Sequence, residues 1–281
     1  MEVANLALSE KIQLLGAGLY KNIPDELTLK NIPTASELDY VGSEDFDQTM
    51  IDTILPQAIE ERIDTKELLE IDYQWICRCL RLLNYGPYVT VHSIFCDHCG
   101  RVDGEYRVNL NSVQCKALPD SFLNKLVIKA DEFIDFDGDV ELHLLTMQQA
   151  LNSYKDKQFI IPSSGKSMRE LSRICYMITS MGEDKNLTPV DVNMLIKSKL
   201  SSADYIVLKN RVAELTDYGL RAGGECKCPR CGSNDAAFMA LIDERFFRPT
   251  LDDLREWKRS RNKRRDEDVH GTSAKDVRKH N

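Results

Sequence analysis

Polar and apolar residues alternate across Glu26-Leu27-Thr28-Leu29-Lys30-Asn31-Ile32, the two-residue period of a strand with one buried face. The turn-rich stretch Leu15-Gly16-Ala17-Gly18-Leu19-Tyr20 and Lys21-Asn22-Ile23-Pro24 precedes it, so a small β element is expected first. From Asp47 to Glu61 the apolar Met50, Ile51, Ile54, Leu55, Ala58 and Ile59 fall at steps of three and four. That spacing predicts an amphipathic helix with a kink or break at Pro56. A second helix is expected where Tyr73, Trp75, Ile76, Cys79, Leu80 and Leu83 repeat, capped by Asp72 and stopped at Gly86-Pro87. The period then returns to two. Tyr88 to Phe95 and Arg101 to Leu110 read as a hairpin turning through Cys96-Asp97-His98-Cys99-Gly100, with further strands over Leu126 to Ala130 and Val140 to Leu145.

Helical spacing dominates after Met147. Ser167 with Glu170 forms a capping box ahead of Leu171, Ile174, Cys175 and Ile178; Thr188-Pro189 opens another helix; Ser202 begins one that ends near Gly219. Gly223-Gly224 then leads into Cys226-Lys227-Cys228-Pro229-Arg230-Cys231-Gly232. The expected architecture is α+β, a β-rich subdomain with an inserted helical one. Its divisions are an N-terminal β segment (1–46), a helical segment (47–86), a β subdomain with the first cysteine pair (87–146) and the inserted helical subdomain (147–220). A return through the second pair (221–250) and a basic flexible tail (251–281) complete it.

A chain of 281 residues with 42% hydrophobic and 29% charged residues can bury a core, which excludes a wholly disordered or collagen-like protein. No apolar run approaches the roughly 20 residues of a membrane span. Met1-Glu2-Val3 opens without the basic and apolar blocks of a secretory signal, so a cytoplasmic location is expected. The net charge of −8 argues against a generally nucleic-acid-binding surface, but it is uneven. From Phe246 onward eleven basic residues face seven acidic ones, +4, which leaves −12 for the remainder. The run Arg255 to Arg265 could touch nucleic acid, yet only Trp257 interleaves it and Asp266-Glu267-Asp268 follows, the pattern of a solvated tail.

Nine cysteines in a reducing compartment point to metal binding before disulfides. Cys96 and Cys99, and Cys228 and Cys231, form two Cys-x-x-Cys knuckles, each followed by glycine. Two intervening residues let one tight turn aim both sulfurs at one ion, and two such turns supply the four thiolates of a tetrahedral structural zinc. With 128 residues between the knuckles, the fold must bring them together. Cys226 is a candidate substitute ligand; Cys77, Cys79, Cys115, Cys175 and Cys226 read otherwise as small apolar packing residues. Two further motifs are incomplete. Ser163-Ser164-Gly165-Lys166-Ser167 has the end of a phosphate-binding loop, but Ile160 stands where its first glycine belongs. Asp135-Phe136-Asp137-Gly138-Asp139 opens like a calcium loop, but Val140 and Thr146 stand at its sixth and twelfth positions. The histidines are scattered, and no catalytic seat emerges; a non-enzymatic protein is expected.

The order of these features resembles the T-even phage family of baseplate hub and tail-assembly proteins, which includes the tail-assembly chaperones of contractile-tailed phages. The likeness runs from about Leu15 to Pro249. It comprises the Gly-Leu-Tyr turn and short β segment, an acidic helical stretch, and Ile71-Asp72-Tyr73 through Leu80-Arg81-Leu82-Leu83-Asn84-Tyr85-Gly86. The cysteine hairpin, a later knuckle and Phe246-Phe247-Arg248-Pro249 follow. The resemblance implies a virus-encoded assembly chaperone or minor baseplate component that binds other tail or hub proteins. It would work in the host cytoplasm or in the virion baseplate, with no membrane partner and with structural zinc on Cys96, Cys99, Cys228 and Cys231. The alternative is a zinc-ribbon regulator that binds nucleic acid.

Overall fold

The computed structural model describes residues 9–33, 43–119, 121–160, 168–239 and 242–259. In chain order, β1 (Ser9–Gln13) pairs with β2 (Glu26–Lys30). Helix α1 (Phe46–Thr49) passes through a wide turn (Met50–Ile54) into α2 (Leu55–Ala58), and α3 (Glu70–Tyr85) leads to β3 (Tyr88–Cys96), β4 (Gly100–Asn109) and β5 (Val113–Lys116). Strands β6 (Val127–Ile128) and β7 (Val140–Leu142) precede α4 (Met147–Lys155) and α5 (Arg169–Met177). Then come β8 (Ile178–Met181), β9 (Asp184–Lys185), α6 (Pro189–Lys199), α7 (Ser202–Thr216), β10 (Gly219–Cys226) and β11 (Ala236–Met239). A last helix, α8, covers 251–259. The strands form a pair β1-β2, a five-stranded sheet in the order β4-β3-β11-β10-β5, and a four-stranded antiparallel sheet β6-β7-β8-β9. The chain is thus a mixture of helix and sheet, and among the described residues no helix is long and apolar enough to cross a membrane.

Two units divide the chain: a larger one of Met1–Cys77 with Cys115–Arg221, and a smaller one of Arg78–Gln114 with Ala222–Asn281. This corrects the reading of 87–146 as one β subdomain, because β6 and β7 join β8 in a sheet separate from the cysteine hairpin. Nor is 147–220 wholly helical. Ile178 continues the three-and-four spacing of α5 but is already extended, and it pairs with Leu142 to begin β8. A residue that completes a helical stripe can equally start a strand, and the neighbouring sheet edge decides which.

In the larger unit an apolar core gathers Phe122, Ile128, Val140, Phe159, Ile174, Met181, Val192, Leu208 and Leu215, all almost fully buried. Polar locks surround it. Asp72 does not cap its own helix, which begins at Glu70. Its carboxylate instead accepts the N–H groups of Leu15 (2.5 Å) and Gly16 (3.2 Å) and the hydroxyl of Tyr20 (2.5 Å), and Tyr20 Oη accepts the N–H of Leu69 (2.9 Å). The turn-rich segment is therefore wrapped around one buried acid. Burial raises the Asp72 pKa, and these donors offset part of that rise; the Tyr20 phenol is raised too, by burial and then by the adjacent carboxylate.

Helical backbone runs over 46–58, against the expected 47–61, and Pro56 sits just after a widened stretch of it. Proline has no N–H for the carbonyl of Asp52, and the backbone widens by one residue, so that Leu55 N–H bonds to Met50 O. The Ile51 carbonyl left over accepts the hydroxyl of buried Thr65. Elsewhere the caps follow the local sequence: Thr188 with Asp191 and Ser201 with Asp204 both form reciprocal capping boxes. The Ser167 cap lies outside the described residues.

The smaller unit is organised around Arg81, which is 1% exposed. Its guanidinium donates to the carbonyls of Phe246 (2.7 Å), Gly86 (2.9 Å) and Tyr88, thereby joining the end of α3 to the start of β3 and to the segment before α8. Gly86 ends α3 at φ +78°, with its N–H on Leu82 O. A β-carbon there would lie 2.4 Å from Trp257 Cδ1, so the indole rests directly on this glycine. Helix α8 starts with Thr250 and Asp253 bonded reciprocally, and buried Asp253 also pairs with Arg107 of β4 (2.6 Å). The basic tail therefore begins as a docked helix. Asp253 and Trp257 hold it, while Leu251 is 73% exposed; residues 260–281 lie outside the described ones.

Candidate metal centre

The second knuckle is followed at once by β11, and β11 pairs antiparallel with β3, which runs straight into the first. Ala236 stands opposite Cys96, Phe238 opposite Ile94, and Asp97 N–H bonds to Asp235 O at 3.3 Å. This register closes the long sequence separation without a dedicated linker. Each knuckle is a tight turn: in the second, Gly232 N–H bonds to Cys228 O (2.9 Å) and Cys228 N–H to Ser233 O (2.8 Å). The glycines after the knuckles, Gly100 and Gly232, take φ of +68° and +76°, which L side chains rarely adopt.

The four sulfurs of Cys96, Cys99, Cys228 and Cys231 all lie within 4.8 Å of one another, and Cys96 Sγ is 3.6 Å from Cys231 Sγ. A metal with four thiolates at about 2.3 Å needs tetrahedral edges of about 3.8 Å, so small adjustments suffice. The cluster could hold one metal ion with residues from the two distant knuckles, as the spacing led one to expect. Cys96 and Cys228 are buried, Cys99 is intermediate and Cys231 is exposed.

The electrostatics fit a cation. The backbone N–H groups of Cys231 and Arg230 point at the sulfur of Cys228 and, against the opposing effect of burial, hold its thiol down at about 6. Cys99 is pushed up to about 12, chiefly by its hydrogen bond to Cys231 and then by burial, and burial likewise raises Cys96. Four adjacent thiolates repel one another; a dication between them removes that penalty and releases the protons.

Cys226 lies outside the cluster. It stands opposite Ala236 in β10, and Ala236 stands opposite Cys96, so two strand spacings, about 10 Å, separate Cys226 from that ligand. Cys77, Cys79 and Cys175 are buried packing residues, but Cys115 is exposed, contrary to the apolar role expected of it. His98 lies 3.4 Å from Asp235, which also accepts from Ser233, a polar latch between the two knuckles. Neither partner could be foreseen, because 137 positions separate them.

The phosphate-loop-like Ser163–Ser167 lies outside the described residues. In the aspartate loop, Asp139 pairs with Lys129 and accepts the N–H of Ala130, while the N–H groups of Ile134 and Asp135 bond to Asp204. The loop is thus held by its neighbours within the fold. The chain matches no family model, no curated protein and no solved structure with which it was compared.

Proposed function

We propose that the chain is a zinc-pinned, non-enzymatic binding protein that acts in assembly of the baseplate hub of contractile-tailed phages, as a chaperone or a minor baseplate component. The observation that carries the binding role is the four-cysteine cluster. All four donors are thiols, the preference of structural zinc, and four thiolates fill its coordination with no position left for water. Such an ion cross-links Cys96 and Cys99 to Cys228 and Cys231 and leaves the surface to do the work. The phage assignment rests on the order of sequence features described above. Several of those features are also joints of the fold: Tyr20 with Asp72, and Arg81 with Gly86 and Phe246.

Affinity capture from infected cells, followed by mass spectrometry of the bound proteins and of purified virions, tests this reading. Tail or hub proteins should be recovered, and cells lacking the protein should accumulate heads with few complete tails. Salt-dependent retention on nucleic acid, with normal tails in its absence, would instead favour the zinc-ribbon regulator.

A further inference from the structure

The cysteine cluster has a closed side and an open side. Cys96 and Cys228 are buried, whereas Cys231 is exposed, and the buried Cys96 Sγ of the other knuckle is 3.6 Å from Cys231 Sγ. Cys231 is the exposed residue of the four, and its sulfur is in contact with that of a buried cysteine from the opposite knuckle. We propose that Cys231 is an oxidation site at which a hydroperoxide exchanges the metal cross-link for a Cys96–Cys231 disulfide. This rests on the reading that the four cysteines hold zinc.

Coordination keeps sulfur deprotonated, and an accessible thiolate is the form that a peroxide attacks. The Cys231 thiolate attacks the O–O bond of hydrogen peroxide, forming an S–O bond and releasing hydroxide. The Cys96 thiolate then attacks the Cys231 sulfur, forming the S–S bond and expelling a second hydroxide. Two thiolates supply the two electrons that reduce the peroxide. Zinc loses two of its four ligands and leaves, but the new bond spans the same 135 positions, so the knuckles stay joined. Closing the S–S bond needs the two sulfurs to approach from 3.6 Å to about 2.05 Å. A dithiol reductant would reopen it and restore the site.

The test uses the full chain as purified. Zinc is counted first; hydrogen peroxide is then titrated in the presence of a chromogenic zinc chelator, and disulfides are mapped by mass spectrometry of unreduced peptides at half release. The expected result is one disulfide per zinc released, joining Cys96 to Cys231, with release several-fold slower in Cys231→Ser. Mapping of the unsubstituted chain decides the matter even if that variant does not fold. No zinc at the outset would remove the metal reading and this one together. Zinc present but released with a Cys228–Cys231, Cys96–Cys99 or Cys99–Cys231 bond, or retained under peroxide, would leave the metal reading standing and refute the oxidation site.

Discussion

The two units hold themselves together by different means. The larger has a continuous apolar core and uses buried carboxylates to fasten loops onto it: Asp72 for residues 15–20 and Asp204 for Ile134 and Asp135. The smaller has fewer apolar side chains to bury, and it places an arginine, a glycine–tryptophan contact and four cysteines at its joints. A short chain segment recovers less hydrophobic stabilisation per ordered residue, so cross-links matter more to it. The larger unit should then tolerate loss of any single lock, and the smaller should not tolerate loss of a metal held by its four cysteines.

The largest effect is therefore expected from metal removal or from Cys96→Ser or Cys228→Ser. Structural zinc contributes on the order of 10 kcal/mol in small peptides, and the apolar core of the smaller unit should soften that loss. Protein purified without added metal should carry about one zinc per chain. Chelation should unfold the smaller unit in hydrogen exchange while amides in α4 to α7 stay protected. Cys115→Ser, outside the cluster, should leave metal content and melting unchanged. Equal damage from Cys115→Ser and Cys96→Ser would refute the ligand assignment.

Next comes Arg81→Met. It removes donors from three carbonyls and should cost on the order of 3 kcal/mol in denaturant unfolding. Arg81 exposes the limit of pattern reading: in a helix with Leu80, Leu83 and Cys79 facing inward, an arginine is placed outside by default, and its burial goes with the partners it finds at Gly86, Tyr88 and Phe246. Asp72 misleads in the same way. Its position suits a helix cap, but its donors come from a turn more than 50 positions away. What was legible is local: the knuckle spacing, the stop at Gly86, the hairpin of β3 and β4, and the Thr188 cap. What was not legible depends on contacts distant in sequence, including the strands β5, β8 and β11, which are short and take their conformation from the strand beside them.

Tyr20→Phe probes the larger unit at a comparable joint. It leaves the Leu69 N–H without its acceptor and the Asp72 carboxylate without one donor, for an expected loss of about 1 to 2 kcal/mol. Melting of the larger unit should fall by a few degrees, with zinc content unaffected. A larger loss than that of Arg81→Met would reverse the contrast between the units.

The smallest and most diagnostic effect is one of pH, because the two carboxylate locks of the larger unit titrate in opposite directions. For Asp204, burial alone would raise the pKa. The N–H groups of Asp135 and Ile134 and the hydroxyl and N–H of Ser201 overcome it and hold the acid at about 2. A folded value below the unfolded one means a stabilising contribution that is complete above about pH 4 and disappears as pH falls towards 2. Asp72 is raised, mainly by burial, so its contribution is present at low pH and is lost as pH rises through its folded value. Asp204→Asn should therefore flatten the acid limb of the stability curve, whereas Asp72→Asn should flatten the limb above it. Melting temperatures measured from pH 2 to 7 for both variants and the parent separate the two. If Asp204→Asn left the acid limb as steep as in the parent, the Asp204 carboxylate would not be the group that fastens residues 134 and 135.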